Sequence, residues 1–203
     1  MSNPDRSLAV LTEPEDIDRP FNKLVDELLS KVSEPVVMAY ALTLLDGDDA
    51  GLHPTALRYM GGAHADHLLA NGDFTLWPAV WGARALQYVW TPHQAAEAAR
   101  LVVARLGDDR WRVAEMCSKV VGKRELGAGA DGLVLLAGHK LPRVRMQAVR
   151  ALGAVGETEH LPVIHAALHD QDTDVRRAAA RAMTLRAERL DLDLDDLIEG
   201  RFR

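Results

Sequence analysis

Basic and aromatic side chains that could contact an anionic ligand recur from residue 81 onward. Arginine and lysine pair with phosphate or carboxylate groups, and an exposed tryptophan or tyrosine can stack against a base. We predict that the ligand-binding residues are Trp81, Arg84, Tyr88, Arg112, Lys119, Arg143, Arg150, Arg177 and Arg181. Their chemistry predicts a partner that is either a protein with an acidic surface or the phosphate backbone of a nucleic acid.

Other residue types that can do chemistry are better explained by structure. Cys117 shares its repeat position with small alanines, whereas a nucleophilic cysteine needs partial exposure and a basic neighbour. His165 and His169 stand four residues apart and could chelate a metal, as could His64 and His67, but no recognised zinc motif accompanies either pair. We therefore predict no metal site and no cofactor.

A repeat of 31 residues sets the positions of these side chains. The matching columns are Val113, Val144 and Val175; Cys117, Ala148 and Ala179; and Val120, Ala151 and Ala182. Leu86, Val89 and Trp90 fill the corresponding columns one unit upstream, where Thr91-Pro92-x-Gln94 predicts a capping box. The glycines between units are predicted to form helix ends and turns: Gly107, Gly122, Gly127, Gly138, Gly153 and Gly156. A helix pair of this length cannot bury its apolar stripe alone, so neighbouring pairs must stack.

Several segments resemble HEAT-like repeats. They are Asp108-x-x-Trp111-x-Val113, Leu141-Pro142-Arg143-Val144-Arg145 and Asp170-x-x-x-x-Val175-Arg176, with His139 where the family pattern has Asp. The resemblance covers residues 92–187 well and 77–91 in part. It implies an all-α fold, an α-α superhelix (HEAT-like solenoid) of stacked antiparallel helix pairs whose second helices line a concave surface. It also implies that Arg145 and Arg176 bridge to the Asp of a neighbouring unit, a column that Asp108 and Asp170 occupy.

One stripe of the second helices is expected to face outward, because the columns of residues 113, 117, 120 and 121 face inward at 100° per residue. The stripe reads Trp81, Arg84, Tyr88; Arg112, Glu115, Lys119; Arg143, Met146, Arg150; and Asp174, Arg177, Arg181. It carries a net charge of +5 in a chain of net charge −6. This contrast favours a non-enzymatic binding or scaffold module that engages an anionic partner. The alternative explanation is that these residues form an ordinary solvent-exposed helix face, where arginine and lysine are common in any protein.

An enzymatic alternative comes from a second resemblance. Asp108-x-x-Trp111-Arg112-Val113-x-Glu115 is similar to stretches in HEAT-like DNA alkylation-repair glycosylases. That resemblance implies a cleft with aromatic side chains, basic contacts to phosphates and a carboxylate that stabilises a developing sugar cation, the role that Glu115 would take. No catalytic Asp aligns with that family, so we expect a non-enzyme. Repeats of this length also resemble those of chromophore lyases, without a specific motif.

Composition and length bound the remaining predictions. The chain has 203 residues, 48% of them apolar and only 5% aromatic, which favours packed helices over a β-sandwich. A single Cys, with no apparent signal segment or membrane span, predicts a cytoplasmic protein without a membrane partner. We divide the chain into a loose arm (1–19), an irregular helical part (20–73), the repeats (74–187) and an acidic end (188–203). The acidic end either caps the last repeat or folds back onto the basic stripe.

Overall fold

The computed structural model of the chain describes residues 8–47, 52–72 and 74–202. Within these ranges every regular element is helical and no strand occurs, which confirms the predicted all-α class. The chain forms two compact units, Met1–Leu101 and Val102–Arg203. None of the helices in these ranges combines the length and the apolar character needed to cross a bilayer.

Three helices of the first unit have a proline in their first turn. The helices of this unit in the described residues are α1 (Phe21–Lys31), α2 (Glu34–Asp46), α3 (Pro54–Gly61), α4 (Ala63–Asn71), α5 (Trp77–Ala85) and α6 (Ala95–Ala104). The last of them extends past residue 101. Pro35, Pro54 and Pro78 occupy the first turns of α2, α3 and α5, where the N–H that proline lacks would have no helical partner. α1 buries one of its faces, and α2 is buried along most of its length.

A glycine allows α2 and α5 to pack closely. A Cβ atom at Gly82 would lie 2.4 Å from the carbonyl oxygen of Ala41 and 2.7 Å from the backbone nitrogen of Leu45. No side chain fits at this position, so the contact between the two helices depends on glycine.

Part of the predicted loose arm is packed against the first unit. Residues 1–7 lie outside the described residues, whereas the side chain of Leu8 is buried. The Tyr59 hydroxyl donates a hydrogen bond to the carbonyl oxygen of Thr12, and Glu13 accepts hydrogen bonds from Thr55 and Arg58. Polar contacts and one apolar anchor thus hold residues 8–13, and the division of the chain into an arm and a helical part stays a prediction.

The second unit contains the regular repeat. Its helices are α7 (Trp111–Arg124), α8 (Ala130–Ala137), α9 (Pro142–Val155), α10 (Leu161–Ala167), α11 (Thr173–Leu190) and α12 (Leu194–Ile198). α7, α9 and α11 begin 31 residues apart, which is the predicted period. α7 packs against α9 and α9 against α11, while α8 lies on α9 and α10 lies on α11. The unit is thus a stack of helix pairs.

Two glycines lie inside these helices and not in the connections where we predicted them. A Cβ atom at Gly122 in α7 would lie 3.2 Å from the Cα of Ala151, and one at Gly153 in α9 would lie 2.8 Å from the Cα of Ala182. Both contacts join one helix of the stack to the next, and they recur one repeat apart. Glycine is placed here by close helix packing and not by a turn.

The 31-residue period does not extend into the first unit. A helix one repeat before α7 would span residues 80–93, but α5 ends at Ala85 and residues 86–88 form a turn. Pro92 disfavours a helical conformation for Thr91, and α6 begins only at Ala95. The Thr91 hydroxyl donates to the side-chain oxygen of Gln94 at 2.6 Å, so the predicted capping box is not formed.

The acidic C-terminal segment lies on the last helix pair. α12 packs against α10 and α11, and the side chain of Leu197 is buried there. The Nε2 atom of His165 in α10 is 3.0 Å from the carbonyl oxygen of Ile198, and its ring contacts Phe202. The segment occupies the end of the stack, where a repeat protein needs a polar terminal surface.

Candidate binding surface

An ion pair between Arg145 and Asp170 connects successive helix pairs. The Nη2 and Nε atoms of Arg145 donate to the two carboxylate oxygens of Asp170 at 2.7 and 2.8 Å. Both side chains are largely buried, and the hydrogen bonds from Arg145 lower the pKa of Asp170. This contact confirms the structural role predicted for Arg145.

The other predicted bridges of this kind are absent from the described residues. Arg176 donates to the carbonyl oxygens of Asp170 and Gln171 in its own unit, and Asp108 pairs with Arg110 at 2.7 Å. One repeat before the Arg145–Asp170 pair, the equivalent positions hold Ala114 and His139. His139 therefore has no arginine with which to pair. The prediction that Arg176 bridges to the Asp of a neighbouring unit is therefore wrong, and Asp108 pairs with an arginine of its own unit.

His139 nevertheless keeps one function of the aspartate it replaces. Asp108 and Asp170 each accept a hydrogen bond from the backbone N–H two residues later, at 2.9 and 2.8 Å. The Nδ1 atom of His139 accepts the equivalent bond from Leu141 at 3.0 Å. The turn before each second helix is thus stabilised in the same way in all three units.

Glu115 is buried beneath the predicted stripe. Only 2% of the residue is exposed, and one carboxylate oxygen accepts hydrogen bonds from Lys119 Nζ and Arg143 Nε, both at 2.9 Å. The guanidinium groups of Arg112 and Arg143 lie 4.6 and 5.9 Å from the centre of the Trp111 ring. Glu115 positions two cations and presents little surface to a ligand, so it does not suit the catalytic role considered from the sequence.

One column of the stripe is cationic in every repeat. Lys119, Arg150 and Arg181, here called the cationic row, lie 31 residues apart on α7, α9 and α11. Arg150 and Arg181 are exposed and have no ion-pair partner within residues 8–47, 52–72 and 74–202. Arg177 and Arg143 are exposed as well, but Arg177 lies 3.4 Å from Asp174 and Arg143 is bound to Glu115. Two of the three members of the row are thus exposed cations without an ion-pair partner in the described residues, whereas Lys119 is bound to Glu115.

A groove of about 560 Å³ lies beside the cationic row. It is lined by Glu115, Lys119, Pro142, Arg143, Met146, Gln147, Arg150, Asp172 and Asp174. The carboxylate of Asp172 caps α11 by accepting hydrogen bonds from the N–H groups of Asp174 and Val175. The groove is therefore basic where α7 and α9 line it and acidic at the start of α11.

Three of the groove residues lie outside the predicted stripe, namely Pro142, Gln147 and Asp172. Asp172 lies directly before α11, and an Asp at that position is a recognised helix-capping signal that could have located it. Gln147 shares its repeat column with Met116 and Ala178, so the pattern gives no sign that a polar side chain lines a groove there.

The candidate residues of the first unit have a different environment. Trp81 was expected on the exposed stripe, but only 2% of it is exposed. Its ring packs against Gly61, where a Cβ atom would lie 2.5 Å away, and against His64. Trp81 is a core residue, and the prediction that it is exposed for stacking is wrong.

Arg84 and Tyr88 pack around Phe21. The guanidinium carbon of Arg84 lies 3.7 Å from the centre of the Phe21 ring, and burial lowers the pKa of Arg84. Tyr88 is 44% exposed and its ring contacts Phe21 edge-on at 5.3 Å. Arg84 is thus engaged in a cation–π contact, and only Tyr88 of this group presents substantial surface.

Cysteine and histidine side chains serve in packing. Cys117 is fully buried, and burial raises the pKa of its thiol. The His64 ring lies 4.5 Å from that of Trp77, and the His165 ring lies 5.7 Å from that of His169. In the ranges that the structure covers, no three His, Cys, Asp or Glu side chains are grouped so that they could hold a metal ion.

The second unit is similar to a known family of repeats. Residues 130–199, which include α8 to α12, match the family model for HEAT repeats. None of the curated proteins matches the chain. The matched region contains the Arg145–Asp170 ion pair and two of the three members of the cationic row.

Proposed function

We propose that this HEAT-repeat protein is a non-catalytic interaction scaffold whose second unit binds an acidic segment of a partner protein along α7, α9 and α11. HEAT repeats suggest a protein-interaction role. The observation that carries the choice of an acidic partner is the exposure of Arg150 and Arg181, one repeat apart and without ion-pair partners in the described ranges. Lys119 continues the same column.

The distribution of charge on the protein supports an acidic partner. A single exposed ion pair contributes only about 0–1 kcal/mol, but several cations in one row steer an anionic partner and make its binding depend on salt. The chain as a whole has a net charge of −6. Its remaining surface therefore repels an acidic partner, which directs that partner to the row.

Glu115 fixes the positions of two cations that line the groove, and this also favours binding. Glu115 holds Lys119 and Arg143 by hydrogen bonds, so these two side chains lose less conformational entropy when a ligand arrives. Glu115 neutralises only one of the two charges. A net positive charge is left for the ligand.

Fluorescence anisotropy with the full chain tests this function. The probes are a labelled peptide of about 12 residues rich in Glu and Asp, and a duplex DNA of similar charge, each titrated at about 50 and 200 mM salt. The proposal expects peptide binding that weakens with salt and falls about tenfold in the double variant Arg150→Glu and Arg181→Glu. Both residues are exposed, so the variant should fold, as circular dichroism would show.

A matched variant controls for net charge. Arg100→Glu with Lys140→Glu changes the net charge by the same amount at exposed positions outside the cationic row. It should bind the peptide within about twofold of the parent protein. Unchanged binding by the row variant, or tighter binding to the duplex than to the peptide, would contradict the proposal.

A further inference from the structure

The cationic row lies beside two close backbone contacts between its three helices. Gly122 is one turn from Lys119, and Gly153 is one turn from Arg150. The distances that a Cβ atom would have at these glycines, 3.2 and 2.8 Å from the Cα atoms of Ala151 and Ala182, show that the backbones nearly touch. Helix axes in proteins are about 8–10 Å apart, so contacts this close place the helices at the short end of that range. The backbone positions that carry successive side chains of the row, which are equivalent positions of neighbouring helices, are therefore about 8–9 Å apart along the stack.

Only some backbone conformations of a bound segment place successive side chains on the same face at this spacing. A polyproline II segment rises about 3.1 Å per residue with three residues per turn, so one of its faces repeats every 9 Å or so. A β-strand presents the same face about every 6.7 Å, and one turn of an α-helix rises about 5.4 Å. The spacing of the row fits the first of these and neither of the others.

We propose that the acidic segment crosses α7, α9 and α11 in an extended, polyproline II-like conformation, with a carboxylate at every third residue. One carboxylate then meets each of Lys119, Arg150 and Arg181. This inference rests on the proposed function and specifies the sequence pattern of its partner.

The column of residues 112, 143 and 174 lies next to the cationic row. Its charges explain why the acidic segment binds along the row and not along this column. Arg112 and Arg143 precede Asp174 at equivalent positions of the three helices, so that column changes sign at α11. Asp172 lies beside it and adds a second negative charge. An acidic segment displaced toward the N-terminal ends of the helices would meet these carboxylates, because like charges at short range repel. Met146 and Pro142 offer apolar surface to the residues between the carboxylates.

Three peptides of equal composition test the spacing. Each contains the same number of Glu, Pro and Ala residues, with Glu placed at every second, every third or every fourth position over about nine residues. Calorimetric titration of the full chain should give an affinity about fivefold higher for the every-third peptide than for the other two. Arg150→Gln should abolish this difference because it removes the central contact, whereas Lys140→Gln should preserve it.

The outcomes separate this inference from the function on which it rests. Equal affinity for the three peptides, with a loss of binding in the Arg150→Glu and Arg181→Glu variant, would overturn the spacing and leave the acidic-partner function intact. Failure of all three peptides to bind would overturn both. A preference for Glu at every second position would indicate a bound β-strand and would also overturn the inference.

Discussion

Arg145 and Asp170 form two parallel hydrogen bonds that connect one helix pair of the second unit to the next. The side chain of Arg145 is 17% exposed and that of Asp170 is 14% exposed, so water weakens this pair less than it weakens the ion pairs on the surface. Asp170 also accepts the N–H of Asp172. One carboxylate thus stabilises both the junction and the turn that starts α11.

Replacement of Asp170 by Asn should lower the free energy of unfolding at neutral pH by about 2 kcal/mol, because hydrogen bonds to a charged group are lost in a largely buried site. The hydrogen bonds from Arg145 lower the pKa of Asp170 in the folded state. Its contribution is therefore complete above the unfolded pKa of about 3.9 and is lost as the pH falls through the folded pKa.

Urea unfolding at neutral pH and between about pH 2 and 5 measures both effects. The parent protein should lose stability more steeply with acid than Asp170→Asn does. Asp109→Asn, which removes an exposed carboxylate, serves as the control and should leave the pH dependence unchanged. Equal acid sensitivity of Asp170→Asn and the parent protein would show that this ion pair does not control the response.

Alanine substitutions at three glycines should destabilise the second unit to different degrees. Gly153→Ala should cost about 1–3 kcal/mol because its Cβ atom would lie 2.7 Å from Cβ and 2.8 Å from Cα of Ala182. Gly122→Ala should cost less, since its nearest neighbours are 3.2 and 3.3 Å away, and the higher helix propensity of alanine offsets part of the strain. Gly107→Ala meets nothing within 4 Å and should be neutral. Thermal unfolding of the three variants would check this order, and a stabilised Gly153→Ala variant would contradict the close packing.

Periodicity predicted the second unit well because each repeat makes the same contacts. Val113, Val144 and Val175 are all fully buried, as their shared column predicted. The same reasoning could not distinguish a glycine in a turn from Gly153 in a helix contact. A glycine that recurs every 31 residues fits the repeat pattern in either place. It also placed Glu115 on the exposed stripe, since helix periodicity gives the direction of a side chain and not the height of the neighbouring side chains that cover it.

Extrapolation of the period failed in the first unit for a local reason. Pro92 and the turn before it end the equivalent helix early, so the predicted stripe of Trp81, Arg84 and Tyr88 is not continuous. Trp81 is buried because Gly61 leaves space for its ring. That space depends on a residue 20 positions away in the chain, and no local pattern predicts it.

Trp81→Phe should destabilise the first unit without reducing affinity for an acidic peptide. The smaller ring leaves unfilled volume in the core, at a cost of about 1–3 kcal/mol. Because Trp81 is not on the surface, peptide binding by the folded protein should be unchanged. Urea unfolding followed by circular dichroism, with the anisotropy titration at a temperature where the variant is folded, measures both. A loss of affinity in the folded variant would restore Trp81 as a ligand-binding residue.

Glu115→Gln separates the positioning of Lys119 and Arg143 by Glu115 from the effect of the negative charge of Glu115. The substitution removes the negative charge that neutralises Lys119 or Arg143, so two like charges remain close together and stability should fall by about 1–3 kcal/mol. The same loss of charge makes the groove more positive, and the affinity for an acidic peptide should rise about twofold to fivefold. Anisotropy titrations of the variant and the parent protein at low salt, beside urea unfolding of both, give the two quantities. A weaker affinity in the variant would mean that the fixed positions of Lys119 and Arg143 contribute more to binding than their charge does, because glutamine cannot hold two cations as a carboxylate can.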